Sequence, residues 1–234
     1  MADVLLSTHG LRAGYGDFQA LFGIDLTLFQ GEVLALIGAN GAGKSTLLKA
    51  ITGLVPCKSE MVRLKGSEIG GQRPDKIAKG GIALVPEGRR LFRSLTVEEN
   101  LIIGGERARP GKWTLESVYS LFPILAERRK NPGTALSGGQ QQMVAIGRAL
   151  IANPDVILFD EISLGLAPVV IKDIYAAFPA IVDSGVSAVL VEQDVSRALS
   201  VAHRFVCIQE GKVSLAGEPS QFSRAEVTAA YFGS

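Results

Sequence analysis

Cysteine and histidine are nearly absent from this 234-residue chain. The two cysteines, Cys57 and Cys207, lie far apart and fit no metal-ligand spacing. Both therefore read as reduced packing residues of a reducing compartment. The two histidines, His9 and His203, do not build a His-based metal centre. An excess of either charge is also missing: 24 Lys and Arg stand against 23 Asp and Glu. That balance argues against a sequence-independent nucleic-acid binder. No apolar run approaches the ~18 residues that a membrane span needs. Residues 1–10 lack the basic start and long apolar stretch of a secretory signal. Repeats and low-complexity tracts are absent too. The expectation is a soluble protein that reaches a membrane, if at all, through a partner.

What is present is an ordinary globular composition, with 47% hydrophobic and 20% charged residues. Such a chain can bury a sizeable core. Short apolar runs recur at 33–37, 81–85, 156–159 and 188–191. Continuous rather than alternating hydrophobicity indicates strands covered on both faces, hence a parallel sheet. Helical patterns fall between them at 43–52, 138–151 and 168–182, so the chain reads as α/β. The segments 5–12, 24–28 and 61–65 are shorter and more alternating, like an antiparallel flank. Residues 205–215 read as a hairpin turning at Glu210-Gly211. The stretch 88–153 is mostly helical and holds the only tryptophan, Trp113; it reads as an insertion into an α/β core made of 1–87 and 154–234.

Gly38-Ala-Asn40-Gly41-Ala42-Gly43-Lys44-Ser45 matches the pattern G-x-x-x-x-G-K-[ST] in full. It follows an apolar strand ending at Ile37 and opens a helix near Lys44. Glycines let the backbone curl until successive N–H groups face phosphate oxygens. The helix that follows adds its positive end, and Thr46 lies in its first turn. Lys44 supplies a charge for the β- and γ-phosphates, and Ser45 a hydroxyl for Mg²⁺. The second half of such a site is an apolar strand ending in acid, here Val156-Ile-Leu-Phe-Asp160-Glu161. Asp160 is placed to hold Mg²⁺ through its water shell. Glu161, one step further along, is placed to take a proton from an attacking water.

Leu136-Ser137-Gly138-Gly139-Gln140 opens a helix, and Arg148-Ala-Leu lies on it just before the acidic strand. With the two motifs above, this order resembles the ATP-binding-cassette (ABC) ATPases, over essentially the whole chain from Tyr15 to about Gly217. The resemblance implies a P-loop ATPase core, with a parallel sheet flanked by helices, an antiparallel β flank and a helical subdomain. It implies ATP and Mg²⁺ as cofactors, an adenine-stacking role for Tyr15, and a head-to-tail dimer. In that dimer Ser137, Gly138, Gly139 and Gln140 complete the ATP site of the other subunit. The loop Ser163-Leu-Gly-Leu-Ala-Pro168 would cross the interface beside Glu161.

The combination of Gly14-Tyr-Gly16, Ile37-Gly-Ala-Asn-Gly-Ala-Gly43, Val85-Pro-Glu-Gly-Arg-Arg90, Leu95-Thr-Val-Glu-Glu-Asn-Leu101 and Val191-Glu-Gln193 narrows the branch. It is similar to the smaller ATPase subunit of importers of branched-chain (hydrophobic) amino acids. Importers of urea and short-chain amides are close relatives. The implied partners are a second ATPase subunit, expected to be a different paralogue, two membrane permeases and, indirectly, a substrate-binding protein. The implied place is the cytoplasmic face of the inner membrane, without nucleic acid. A non-transport ABC ATPase and a stand-alone phosphotransferase are the alternatives. The first usually has tandem cassettes or a coiled-coil insertion, and the second has no need of 136–140.

Three positions depart from the family pattern. Glu87 stands where most members have Gln, Gln193 where most have a switch His, and Ile162 where most have Pro. A neutral amide does not titrate near pH 7, so Gln193 can position but not act as a base. Glu87 is expected to ligate Mg²⁺ directly or through water. Arg89, Arg90 and Arg93, with Phe92 and Leu95, are expected either to form a solvated basic face or to dock a permease helix. Arg128-Arg-Lys130 reads as a solvated helix end.

Overall fold

The computed structural model describes residues 3–106 and 109–232. The chain opens with the long strands β1 (Val4–Tyr15) and β2 (Phe18–Phe29), and then β3 (Val33–Ile37) leads into α1 (Lys44–Ile51). β4 (Val62–Leu64), β5 (Ser67–Glu68), α2 (Pro74–Gly80) and β6 (Ile82–Val85) follow. Next come α3 (Val97–Gly105), α4 (Leu115–Leu121), α5 (Pro123–Glu127) and α6 (Gly138–Ile151). β7 (Val156–Asp160), α7 (Pro168–Ala176), α8 (Phe178–Asp183), β8 (Ser187–Val191) and α9 (Val195–Val201) return to an alternating pattern. β9 (Arg204–Gln209), β10 (Lys212–Gly217) and α10 (Arg224–Phe232) complete the fold.

The larger sheet has the order β10-β9-β3-β8-β7-β6. Its five strands from β9 to β6 pair in parallel. β3, β7 and β8 are buried at every position, as strands covered on both faces must be. β10 pairs antiparallel with β9 through the hairpin at Glu210-Gly211. The smaller sheet, β2-β1-β4-β5, is antiparallel throughout.

Two elements differ from the sequence reading. β1 and β2 have 12 residues each and are the longest strands described, not the shortest. Gly10 has φ +52, and the register shifts between Thr8 and Leu11, so a bulge interrupts the alternation without ending the strand. The single helix expected over 168–182 is two helices. Pro179 lies in the first turn of α8, where its missing N–H costs nothing; inside a continuous helix it would lack the bond to the carbonyl four residues back.

Between β6 and β7 every described element is helical. These helices share one apolar cluster with the sheet: Val97, Leu101, Val118 and Leu150 pack with Val85, Ile157, Phe159 and Leu190. Trp113 belongs to it, its indole N–H donating to Ser184 at 3.1 Å. No helix among the described residues is long and apolar enough to cross a membrane.

Candidate functional site

The loop from Gly38 to Gly43 leaves the carboxyl end of β3 and wraps the start of α1. Gly38 has φ +150, and a Cβ there would lie 2.2 Å from the Ile208 carbonyl oxygen. Gly43 has φ +109 and would meet Leu21 at 2.7 Å. Only glycine fits either place. Lys44 is buried, and its ammonium donates to the carbonyls of Gly38 at 2.7 Å and Ala39 at 3.0 Å. Burial pulls its pKa down, against the charges of Glu161 and Asp160.

β7 delivers the acids to the same place. Ser45 Oγ donates to Asp160 Oδ1 at 2.9 Å. Burial lifts the Asp160 carboxyl above its usual range; the Ser45 hydrogen bond opposes the lift, and Glu161 and Glu87 add to it. Glu161 has φ +51, the left-handed region that a residue with a side chain rarely adopts. Its N–H donates to the Val191 carbonyl at 3.0 Å. Its carboxylate accepts from the Gln193 amide at 2.6 Å and lies 3.9 Å from the Lys44 ammonium.

Together these groups border an open cleft of about 640 Å³. Tyr15, Asn40, Gly41, Gly43, Lys44, Ser45, Thr46, Glu87, Glu161 and Gln193 all line it. Gly38 and Ala42 shape the loop beneath, and Asp160 reaches the site through Ser45. Phe18 and Ala20 also line it and had no place in the sequence reading, and Leu164 joins them from the loop expected beside Glu161. Phe18 is the register partner of Tyr15 across the two-residue turn Gly16-Asp17. That short turn was the available signal, because cross-strand partners share a face.

The donor set suits magnesium nucleotide. Backbone N–H groups and Lys44 match phosphate oxygens, while Ser45 and Asp160 offer two hard oxygens side by side. No cluster of three or more His, Cys, Asp or Glu that could hold a metal by itself occurs among the described residues. Mg²⁺ of this kind takes its other ligands from phosphate and water.

Ser137, Gly138, Gly139 and Gln140 do not line this cleft. Ser137 caps α6 instead. Its hydroxyl accepts from the Gln140 N–H at 3.3 Å, and its own N–H donates to Gln140 Oε1 at 3.0 Å. The first-turn N–H groups of Gly138 and Gly139 have no partner within a helix. A Cβ at Gly139 would lie 2.2 Å from Val170 on α7.

The loop after β6 is unusual. Gly88, Arg89 and Arg90 all have positive φ, +76, +65 and +48. The Arg90 N–H bonds back to the Gly88 carbonyl at 2.6 Å, closing a γ-turn on Arg89. Arg148 of α6 donates to the carbonyls of Arg90 at 2.9 Å and Arg89 at 3.2 Å. The Arg89 guanidinium turns inward, donates to Gln141 at 3.4 Å and rests on Gly138. This removes Arg89 from the exposed basic face expected of it, whereas Arg90, Phe92 and Arg93 are exposed and Leu95 is half-buried. Arg128, Arg129 and Lys130 are exposed. Asn100 is fully buried and ties the loop to α3: it accepts from Phe92 N–H and donates to the carbonyls of Phe92, Leu95 and Thr96.

Glu192, in the sequence only the middle of Val191-Glu-Gln193, has a larger part in the structure. It is 2% exposed, and its carboxylate accepts from the Ser163 N–H, the Ser163 hydroxyl and the Tyr175 hydroxyl. Burial raises its pKa, opposed by those bonds. A charged residue adjoining the apolar run 188–191 was the only hint.

A phosphate loop after the first strand of a parallel sheet, facing an acid at the end of the next strand but one, defines a P-loop nucleotide-hydrolysing protein. The comparisons carry this further. The family model described as ABC transporter matches residues 21–163. A high-affinity branched-chain amino acid transport ATP-binding protein, BraG of Pseudomonas aeruginosa, is 42% identical over 89% of this chain and 91% of its own length. A probable branched-chain amino acid transport ATP-binding protein, LivF of Archaeoglobus fulgidus, is 34% identical over 95% of each chain. A crystal structure of an ATP-binding cassette of an ABC transporter, in its ADP conformation, superposes with a TM-score of 0.82. It is 28% identical and covers 99% of this chain and 100% of its own. The chain belongs to the ABC transporter family and is one of its ATPases.

Proposed function

We propose that this ATPase is the motor subunit of an importer for branched-chain or other hydrophobic amino acids. The observation that carries the hydrolytic part is the contact of the Glu161 carboxylate with Gln193 and Lys44 at the cleft floor. The cargo rests on the likeness to BraG and LivF. Urea and short-chain amides are the second cargo class.

In this reading Lys44 and the N–H groups from Gly38 to Thr46 hold the phosphates, and Tyr15 stacks on adenine. Ser45 and Asp160, with Glu87 beside them, hold Mg²⁺. The ion neutralises phosphate charge as it develops. Glu161 takes the proton of the attacking water, and Gln193 orients water and phosphate by hydrogen bonding. Ser137, Gly138, Gly139 and Gln140 act on the nucleotide of a second ATPase subunit, a different paralogue, in a head-to-tail dimer. Their exclusion from this chain's own cleft supports that arrangement.

Residues 88–153 act as the helical subdomain of the cassette. Arg90, Phe92 and Arg93 offer a mixed basic and apolar surface to two permease subunits, which a substrate-binding protein loads. The protein thus works at the cytoplasmic face of the inner membrane, held there by its permeases. The test is uptake of labelled leucine by the native host, wild type against Glu161→Gln at the chromosomal locus. Lost uptake supports cargo and base together. Unchanged uptake, with phosphate release by the purified variant abolished, refutes the cargo and turns the search to urea and amides.

A further inference from the structure

The corner that carries Glu161 is an awkward one. A non-glycine residue in the left-handed region persists only where its surroundings over-determine it. Three cross-links run from the segment 161–163 to the segment 191–193, extending the pairing of β7 with β8 beyond the last ladder partners, Asp160 and Val191. The Glu161 N–H donates to the Val191 carbonyl. The Gln193 amide donates to the Glu161 carboxylate. The third and most buried link is Glu192. Its Oε2 accepts from Ser163 Oγ at 2.7 Å, and its Oε1 accepts from Ser163 N–H at 3.2 Å and Tyr175 Oη at 2.8 Å.

Each partner of Glu192 comes from a different piece of the site. Ser163 opens the loop that ends at α7 and bears Leu164, a wall of the cleft. Tyr175 lies within α7, its ring 5.3 Å from Phe178, which in turn sits 5.1 Å from Phe159 of β7. Arg197 of α9 donates to Ser163 Oγ at 3.1 Å and pairs with Asp194 at 3.2 Å. Ser163 Oγ therefore accepts from Arg197 while it donates to Glu192. A carboxylate is an acceptor only, which suits a position facing three donors. A glutamine amide of the same size must turn its NH₂ toward one of them.

We propose that Glu192 is a positioning residue for ATP hydrolysis: its buried carboxylate locks the 161–163 corner to the 191–193 corner and so keeps Glu161 in register with Gln193 and the phosphate loop. This rests on the reading of Glu161 as the base. Glu192 does not line the cleft and acts through its neighbours.

The test uses the full-length protein with Mg²⁺ and ATP, and a fluorescent ATP analogue for binding. Glu192→Gln is expected to lower kcat by about tenfold or more, in keeping with the sensitivity of hydrolysis to small misplacements. KM and analogue affinity should stay within about twofold, because the phosphate loop is untouched. Ser163→Ala and Tyr175→Phe each remove one donor and should give smaller losses of the same kind, which keeps the test alive if Glu192→Gln does not fold. In a Gln193→Ala background, Glu192→Gln should cost less than about threefold more, since the contact it guards is gone. A fall in melting temperature with kcat unchanged, parallel changes in kcat and KM, or losses that multiply in the double variant would each overturn the proposal. Glu161→Gln is measured alongside. If it hydrolyses ATP like the wild type, the base assignment itself fails, whatever Glu192 does.

Discussion

Gln193 and Glu161 meet at 2.6 Å, at the carboxyl ends of the adjacent parallel strands β8 and β7. One partner is an acid with a proton-accepting form, and the other is an amide without one. The geometry therefore divides base and orienter between two side chains that touch. Glu161→Gln should lower kcat by about 10² or more while leaving ATP binding intact. Gln193→Ala should lower it by roughly tenfold. Steady-state phosphate release checks both, and equal losses would count against the division.

Gly139 lies against Val170, with no room for one more carbon between α6 and α7. Gly139→Ala should destabilise the protein by about 1–3 kcal/mol through overpacking. Val170→Ala should restore most of that loss by vacating the space. Urea unfolding of the two single variants and the double variant measures the compensation. If the double variant is no better than Gly139→Ala alone, the contact is not what excludes the side chain.

Asn100 satisfies one N–H and three carbonyls of the segment 92–96 from a fully buried position. Asn100→Ala leaves the Phe92 N–H unpartnered, whereas the carbonyls of Phe92, Leu95 and Thr96 keep the backbone donors Leu95, Gly133 and residue 100. The expected cost is about 1–3 kcal/mol. Hydrogen exchange should speed up at Phe92 first, because its N–H donates to Asn100. Unaltered exchange there, with lowered global stability, would mean that the side chain serves only α3.

Asp155 holds an ionic corner in which Lys65 lies at 2.8 Å and Arg109 closer still. Burial pushes its carboxyl up, but hydrogen bonds and charge from Arg109 and Lys65 prevail and hold it below the usual carboxylate range. A depressed pKa stabilises the fold above the unfolded value near 4, and that contribution is lost as pH falls through the folded value. Asp155→Asn should thus lower the melting temperature at pH 7. The gap to the wild type should close as the solution is taken well below pH 4. A gap that persists in acid would assign the loss to packing rather than charge.

The parallel strands and the phosphate loop were legible because their causes are local. A strand buried on both faces is apolar at every position, and a phosphate loop needs its glycines and lysine at fixed spacing. α6 was legible for the same reason, as Ser137 and Gln140 form a capping box readable from four residues. The length of β1 was not: the segment read as 5–12 continues to Tyr15, and Gly14 and Gly16 look the same in sequence as a strand end. Pro179 was a visible signal that the apolar pattern of 168–182 outweighed. Glu192 was out of reach for another reason. Its partners Ser163 and Tyr175 lie 29 and 17 positions away, and only the packing of β7, α7 and β8 brings them together.

The turn at Gly88-Arg89-Arg90 winds against the natural hand of L-amino acids for three residues running. Each of the two arginines costs about 1–2 kcal/mol in that conformation. Arg148 closes it from α6 like a latch across a wound spring. Loss of the Arg148 contacts from α6 would therefore leave two left-handed arginines without the bonds that hold them. Glu87, at the cleft, is the residue immediately before it. The cleft acid and the helical layer are thereby joined by one short left-handed turn.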